Sequence, residues 1–232
     1  MIKVHITPEE EARILEELLQ EKPKDDNATS GNAASVNYDN LIWEPKKCDE
    51  YISFDASLQR LKQAGYSRHP RPAEAFGLII AHLEKKLPKN LDDIAKDMSL
   101  GNGEWLSLAM EREGNTLICY LDPENLVWNA GRSRYDVSGG KLRYSGKKEF
   151  NIKGKNSVEW ICADQFSPEL IRYCYGREFQ QLSQEMRTGN HKAHLALPRD
   201  GQLCPAARGV VSNRYYLYSI SGRGVSRGVR RK

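Results

Sequence analysis

Closely spaced turn signals between Glu104 and Ala163 constrain the fold of this chain more than any other feature. Short runs typical of β-strands alternate there with turns rich in Gly, Asn, Asp and Pro. The turns lie at 113–115, 122–125, 138–140 and 153–156. Connections this short cannot make the long crossovers that parallel strands need. We therefore expect an α+β fold, in which an antiparallel β-meander of about five to seven strands packs against several helices.

Helical signals precede the meander. Asp55 is placed to cap a short helix that ends at Gly65, and Pro72 is placed to open a longer helix that stops at Pro88. The segment Asn90–Met98 predicts a third, short helix. After the meander, Ser167-Pro168 begins another apolar-faced helix, which Gly176 interrupts and which continues to Gly189. The segments 194–197 and 210–220 then predict strands.

Composition divides the chain into four parts. Residues 1–21 predict a strand followed by a capped helix, because Ile2, Val4 and Ile6 alternate with polar residues before Thr7-Pro8. Residues 22–40 are too polar to repay the entropy of ordering, so we expect a flexible linker. Residues 41–220 form the main α+β domain. Residues 221–232 form a basic Gly/Arg tail.

The apolar residues and the cysteines predict the cellular compartment of the protein and the residues of its hydrophobic core. The longest apolar stretch is near Leu78–Ala81, far below the roughly 20 residues of a membrane span. The N-terminus has no secretory signal pattern, and five scattered cysteines make a poor disulfide framework, so we expect a cytoplasmic protein with no membrane contact. The aromatic residues are expected to build the core: Trp43, Phe54, Phe76, Trp105, Trp128, Phe150, Trp160, Phe166 and Phe179.

The positive charge excess of this chain lies entirely in its last 32 residues. Residues 201–232 hold seven Lys and Arg and no carboxylate, whereas the chain as a whole carries +4, so residues 1–200 carry −3. Clustered guanidinium groups attract phosphate or carboxylate surfaces. The charge distribution therefore predicts a polyanionic partner, most plausibly RNA or single-stranded DNA.

Three segments mix arginine with tyrosine, as surfaces that stack unpaired bases do. They are 66–71, 132–148 and 214–232. We predict a nucleic-acid-binding, non-catalytic surface if the fold brings these segments together. Its predicted residues are Arg68, Arg71, Arg134, Arg143, Arg214, Tyr216, Arg223, Arg227, Arg230, Arg231 and Lys232.

Two alternative functions stay open at this point. The first is a metal-dependent phosphodiester hydrolase that uses meander carboxylates, since Mg²⁺ needs clustered acids. These acids are Glu104, Glu111, Asp122, Glu124, Asp136, Glu149 and Glu159. The second is an assembly protein that forms a homo-oligomer by exchanging the strand-helix element of residues 1–21.

Other familiar chemistries are not indicated. The sequence has no P-loop and no G-x-G-x-x-G, so no nucleotide cofactor is expected. His191 and His194, with Cys174 and Cys204, miss the ligand spacings of structural zinc sites, so no metal is expected. The G-x-S-x-G match at 224–228 lacks the following helix and histidine of a nucleophile elbow. No catalytic residue is therefore assigned.

Overall fold

A computed structural model describes residues 37–38, 40–99, 102–152, 160–162, 168–176, 192–211, 214–219 and 222–231. The chain divides into two units, Met1–Ala34 and Ser35–Lys232, and everything described below belongs to the second unit. The strand-helix element of residues 1–21 and nearly all of the linker of residues 22–40 lie outside the described residues, so they stay predictions.

The described residues form an α+β fold with mostly antiparallel sheets, as the sequence predicts. The helices are α1 (Phe54–Gln63), α2 (Pro72–Leu83), α3 (Lys89–Ser99) and α4 (Pro168–Tyr175). The strands are β1 (Asn37–Tyr38), β2 (Leu41–Trp43), β3 (Cys48–Ile52), β4 (Asn102–Glu113), β5 (Thr116–Leu121), β6 (Leu126–Asn129), β7 (Arg134–Val137), β8 (Gly146–Asn151), β9 (Trp160–Cys162), β10 (Lys192–Ala196), β11 (Leu203–Val211), β12 (Arg214–Ser219), β13 (Gly224–Ser226) and β14 (Val229–Arg231).

The largest sheet does not follow chain order, so a single meander is not confirmed. Its order is β3-β13-β4-β11-β12-β10-β9, and β5 and β8 extend it from the second half of β4. The strands β6 and β7 form a separate hairpin, and β1, β2 and β14 form a small third sheet. Two pairings are parallel, β10 with β12 and β13 with β4.

The long strand β4 separates two hydrophobic cores. Side chains alternate between the faces of a strand, so Leu106 and Leu108 pack with α2, α3 and α4, whereas Trp105 and Ala109 pack with α1 and the β6–β7 hairpin. Both faces of the central sheet are therefore covered. The prediction that Trp43, Phe54, Phe76, Trp105 and Phe150 are buried is confirmed.

The helix α2 begins as predicted. Pro72 occupies the first turn, and the Glu74 carboxylate accepts a 2.7 Å hydrogen bond from the Arg71 backbone N–H. The helix ends at Leu83, earlier than the apolar pattern suggests, because Lys85 takes a left-handed φ of 56°. None of the described helices combines the length and the apolar character needed to cross a membrane.

Candidate nucleic-acid interface

The segment 222–231 is built into the fold and does not form a free basic tail. The strand β13 lies between β3 and β4, and β14 pairs with β2 through Val229, Arg230 and Arg231. The backbone N–H of Gly228 donates to the Glu44 carboxylate over 2.7 Å. This segment is therefore a structural part of the domain.

Arg227 is wholly buried, which corrects its assignment to a nucleic-acid surface. Its Nε donates to Glu104 Oε1 over 2.9 Å, its Nη1 donates to the Glu44 carbonyl over 2.8 Å, and its Nη2 is paired with Asp97. The side chain has 0% exposure. A charge so enclosed and so fully matched by carboxylates cannot contact an external polyanion in this fold.

Glu104 holds a second buried arginine, Arg208, on β11. Burial alone would raise the pKa of Glu104, but the adjacent Arg208 and Arg227 guanidinium groups hold it below its ordinary value. Burial lowers the pKa of Arg208, although Glu104 opposes that shift. Arginine side chains in proteins carry a positive charge at neutral pH. The cluster is an internal ion network that joins β4, β11, α3 and the segment 222–231.

Two glycines of the segment serve close packing. A Cβ on Gly228 would lie 2.6 Å from the Cβ of Tyr66 and 2.8 Å from a Leu61 methyl carbon, and a Cβ on Gly224 would lie 2.5 Å from the Gly103 carbonyl oxygen. Contacts this short force neighbouring atoms to move. The glycines are therefore explained by the interior of this domain, without flexibility along a ligand.

The fold does bring the three arginine- and tyrosine-rich segments into contact. The Ser67 backbone N–H and hydroxyl both donate to the Val229 carbonyl, over 3.1 and 3.0 Å, which joins 66–71 to 214–232. Tyr135 donates to the Gly222 carbonyl over 2.8 Å, which joins 132–148 to 214–232. Arg71 reaches the Ser145 hydroxyl at 3.4 Å. The three segments are therefore neighbours, although most of their contacts are internal.

Arg68 and Arg71 are neutralised by neighbouring acids. Arg68 forms a two-pronged pair with Glu74, at 2.6 and 2.7 Å. Arg71 pairs with Asp122, and this bond raises the pKa of Arg71 although partial burial opposes the shift. Asp122 also accepts the Ser145 hydroxyl at 2.5 Å. These arginines add little net positive potential to the surface.

Arg134 and Arg143 lie on the surface with carboxylates beside them. Arg134 is 52% exposed and 2.9 Å from Asp136, and Arg143 is 66% exposed and 3.3 Å from Glu124. Such exposed pairs are worth at most about 1 kcal/mol, so they can exchange their partner for a phosphate at small cost.

Tyr216 is half-buried on β12, with its ring stacked on His194 at 5.2 Å between centroids. Its ring face is therefore occupied in part. The Arg214 side chain and the whole of Lys232 lie outside the described residues, so their predicted roles stay predictions.

Arg223, Arg230 and Arg231 are exposed, and within the described residues no carboxylate forms an ion pair with them. Arg223 and Arg230 lie at the two ends of α1, and Arg231 follows Arg230 on β14. Tyr135 donates to the Gly222 carbonyl and also accepts from the Phe54 backbone N–H, which puts Arg223 beside the first turn of α1. Arg230 Nη1 reaches the Gly65 carbonyl at 3.5 Å, just past the last turn.

Lys62 and Tyr66 complete this region, and sequence reasoning missed Lys62. Lys62 is exposed on the last turn of α1, and Tyr66 is half-buried against Gly228 beside Arg230. The available signal was a basic residue in the last turn before Gly65. We call the set Lys62, Tyr66, Arg223, Arg230 and Arg231 the α1 surface.

The carboxylates of the hydrolase alternative are engaged separately. Glu111 accepts the Tyr120 hydroxyl at 2.7 Å, Glu149 pairs with Lys147, and Glu104 is enclosed by two arginines. In the described part of the chain, no three His, Cys, Asp or Glu side chains are grouped so that they could hold a metal ion. Glu159 and His191 lie outside the described residues.

His69 and Ser57 form a buried pair that sequence reasoning also missed. The Ser57 hydroxyl lies 2.9 Å from His69 Nε2, and His69 Nδ1 lies 3.2 Å from the Arg227 carbonyl oxygen. A carbonyl can only accept, so Nδ1 carries the proton and Nε2 accepts the hydroxyl. Burial lowers the pKa of His69 to about 3, and both side chains have 0% exposure, so the pair has no route to a substrate and joins α1 to the segment 222–231.

Comparison of this chain with protein-family models, with curated proteins and with solved structures found no match.

Proposed function

We propose that this protein binds nucleic acid, RNA or single-stranded DNA, without catalysis, and that the α1 surface is the binding surface. The observation that carries the proposal is the exposure of Arg223 and Arg230 at the two ends of α1, with the exposed Arg231 next to Arg230 on β14. None of the three has an ion-paired carboxylate among the described residues. Unmatched guanidinium groups on a surface are the features that bind phosphate most readily.

The dimensions of the α1 surface suit a short single strand. A helix of 10 residues is about 15 Å long at about 1.5 Å per residue. A single strand lying along this length would place a few nucleotides on the surface. Binding sites of this size, with cations along the backbone and an aromatic ring for a base, are typical of single-strand binding. Tyr66 beside Arg230 supplies that ring.

Ion pairing elsewhere in the fold favours the α1 surface over the other predicted arginines as the binding site. Arg227 is inside the domain, and Arg68 and Arg71 are matched by Glu74 and Asp122. Arg134 and Arg143 can add weaker contacts, since their surface pairs are easily exchanged.

The experiment compares two triple variants that remove equal charge. The test variant is Arg223→Gln/Arg230→Gln/Arg231→Gln. The control removes three exposed lysines from the α2–α3 connection and α3, as Lys86→Gln/Lys89→Gln/Lys96→Gln. Binding of a labelled 12-nucleotide RNA and the matching DNA strand is measured by fluorescence anisotropy from 50 to 300 mM NaCl.

We expect wild-type affinity to fall steeply with salt. In the test variant, the slope of log K against log salt should shrink by about 2, since each lost phosphate contact on a single strand removes about 0.7. The control should keep the wild-type slope. Absence of wild-type binding at 50 mM NaCl, or an equal loss in both variants, would refute the proposal.

Deletion of residues 221–232 is unsuitable as a test of this surface. The deletion removes β13, β14 and the buried Arg227 together with the exposed arginines. Lost binding would then report an unfolded domain. Point substitutions at exposed positions, with circular dichroism to verify the fold, separate the two effects.

A further inference from the structure

Arg112 is a buried arginine near the end of β4, on the face that carries Leu108 and Met110. It is 2% exposed. Its Nε donates to the Gly114 carbonyl over 3.0 Å, whereas its Nη1 is buried and has no hydrogen-bond partner. Within the described residues, no carboxylate lies within ion-pair distance of its guanidinium group.

A buried guanidinium group without a negative partner is costly. Arginine cannot escape the cost by losing its proton, and burial of an uncompensated charge is among the most unfavourable events in folding. The other two arginines buried this deeply in the described residues, Arg208 and Arg227, both contact Glu104. Arg112 is the exception, so its environment is suited to an anion from outside the chain.

Arg112 lies next to the protein surface. The turn Glu113–Asn115 on one side and the loop Arg199–Gly201 on the other are exposed. The Gly201 backbone N–H donates to the Arg112 carbonyl over 2.8 Å, and the Gly114 carbonyl accepts from Arg112 Nε, so both turns contact this residue. The guanidinium group is therefore covered by surface turns and lies away from the centre of the core.

Asp200, an acid of the loop Arg199–Gly201, holds the facing turn. Asp200 Oδ1 accepts the Gly114 backbone N–H over 2.6 Å. This bond fixes the turn whose carbonyl holds Arg112 Nε. The Nη1 group is thereby kept oriented with a free donor, as expected of a preformed anion site.

We propose that Arg112 is the central ligand of a site for a small oxyanion, either a phosphate or a carboxylate group, beneath the turns 113–115 and 199–201. The oxyanion accepts a charge-assisted hydrogen bond from Nη1 and compensates the buried charge. This site is separate from the α1 surface and does not depend on nucleic-acid binding.

The test measures thermal stability of the full chain in sodium phosphate, sodium succinate and sodium chloride at equal ionic strength. An anion that binds only the folded protein raises Tm by about 2–4 °C when it reaches about five times its Kd, for a chain of this size. The phosphate and succinate arms distinguish a phosphoryl ligand from a carboxylate ligand. Phosphate also stabilises proteins by exclusion from their surface, so variants are needed to identify the specific part.

Arg112→Met removes the charge and keeps a similar length, and Arg132→Met is the matched control on the exposed turn of the β6–β7 hairpin, away from the site. We expect the oxyanion-dependent rise in Tm to disappear in R112M and to persist in R132M. If Arg112 had only a structural role, R112M would change Tm by the same amount in all three salts. Equal Tm values for the wild type in the three salts, or equal rises in R112M and R132M, would overturn the proposal.

A direct measurement covers the case in which R112M does not fold. Equilibrium dialysis of the wild type against ³²P-labelled phosphate and ¹⁴C-labelled succinate should give one site per chain for at least one of them. Arg112→Lys keeps a charge but loses the planar fork, so it should fold and bind that anion at least tenfold more weakly. Failure of both anions to bind the wild type, or unchanged binding in R112K, would overturn the proposal.

Discussion

Acidification should destabilise this domain through one histidine, His69. Its pKa falls from the usual 6.5 to about 3 because the ring is completely buried. The unfolded chain therefore binds a proton between these two pKa values while the folded chain does not. Stability from this residue is complete above pH 6.5 and is lost as pH falls.

The size of the effect follows from the two pKa values. Between pH 7 and pH 4 the unfolded state gains a nearly complete proton at His69, which lowers the free energy of unfolding by about 3 kcal/mol. At neutral pH this destabilisation is absent, because the uncharged imidazole keeps its hydrogen bonds to Ser57 and to the Arg227 carbonyl.

The assay is urea unfolding of the wild type and of His69→Asn at half-unit steps from pH 7 to pH 4. Asparagine keeps a donor for the Arg227 carbonyl and has no titration in this range. The carboxylates titrate alike in both proteins, so they cancel in the comparison. H69N should be less stable at pH 7, and its deficit should shrink by about 3 kcal/mol by pH 4. Parallel pH profiles for the two proteins would refute the reasoning.

Three further outcomes are expected. Arg227→Met should lower the free energy of unfolding by about 3–5 kcal/mol in urea titrations, since it leaves a buried carboxylate without one of its partners; a loss below about 1 kcal/mol would contradict the buried network. Gly228→Ala should lower the free energy of unfolding by about 1–3 kcal/mol through overpacking. Gly131→Ala, whose added Cβ meets its nearest atom at 3.6 Å, should lower it little. Equal Tm values for the two variants would count against the close packing at Gly228. Burial raises the pKa of Cys204 to about 12, so in the native protein Ellman's reagent should modify Cys48 and leave Cys204 unmodified. Peptide mapping would identify the modified cysteine. Rapid modification of Cys204 would contradict its burial.

Local signals in the sequence predicted the helices well, because caps and prolines act over a few residues. Pro72 opens α2 and Pro168 opens α4, as expected. The predicted cap of the first helix was wrong, since Ser53 is the N-cap, two residues before Asp55, and Asp55 lies inside the first turn. In the described residues α4 ends at Tyr175, before Gly176, and its predicted continuation to Gly189 lies outside them.

The strands of residues 222–231 could not be predicted in the same way. Gly, Ser and Arg have little β preference, and these residues become strands because β3, β4 and β2 pair with them from distant parts of the chain. One signal was present, since Val225 and Val229 share the period-2 alternation of a buried face with Arg227 between them. Charge clustering suggested a free tail, but a guanidinium group buried with Glu104 looks identical in sequence to one exposed to solvent.

The candidate surface was predicted only in part, for the same reason. The sequence does not show whether an arginine is exposed or buried. Whether it is ion-paired depends on carboxylates that lie far away in sequence, such as Asp122 beside Arg71. The contact between the three segments could be suggested from composition. The three-dimensional fold was needed to tell which arginines of these segments have no ion-paired carboxylate.

The position of β13 between β3 and β4 has a consequence for biosynthesis. β4 ends at Glu113 and β13 begins at Gly224, so the ribosome must add more than one hundred residues before the missing neighbour emerges. During that interval the facing edges of β3 and β4 stay unpaired, and unpaired edges invite association with other nascent chains. Chaperone dependence during translation is therefore expected to be strongest for ribosome-bound chains that have exposed β4 but not yet β13.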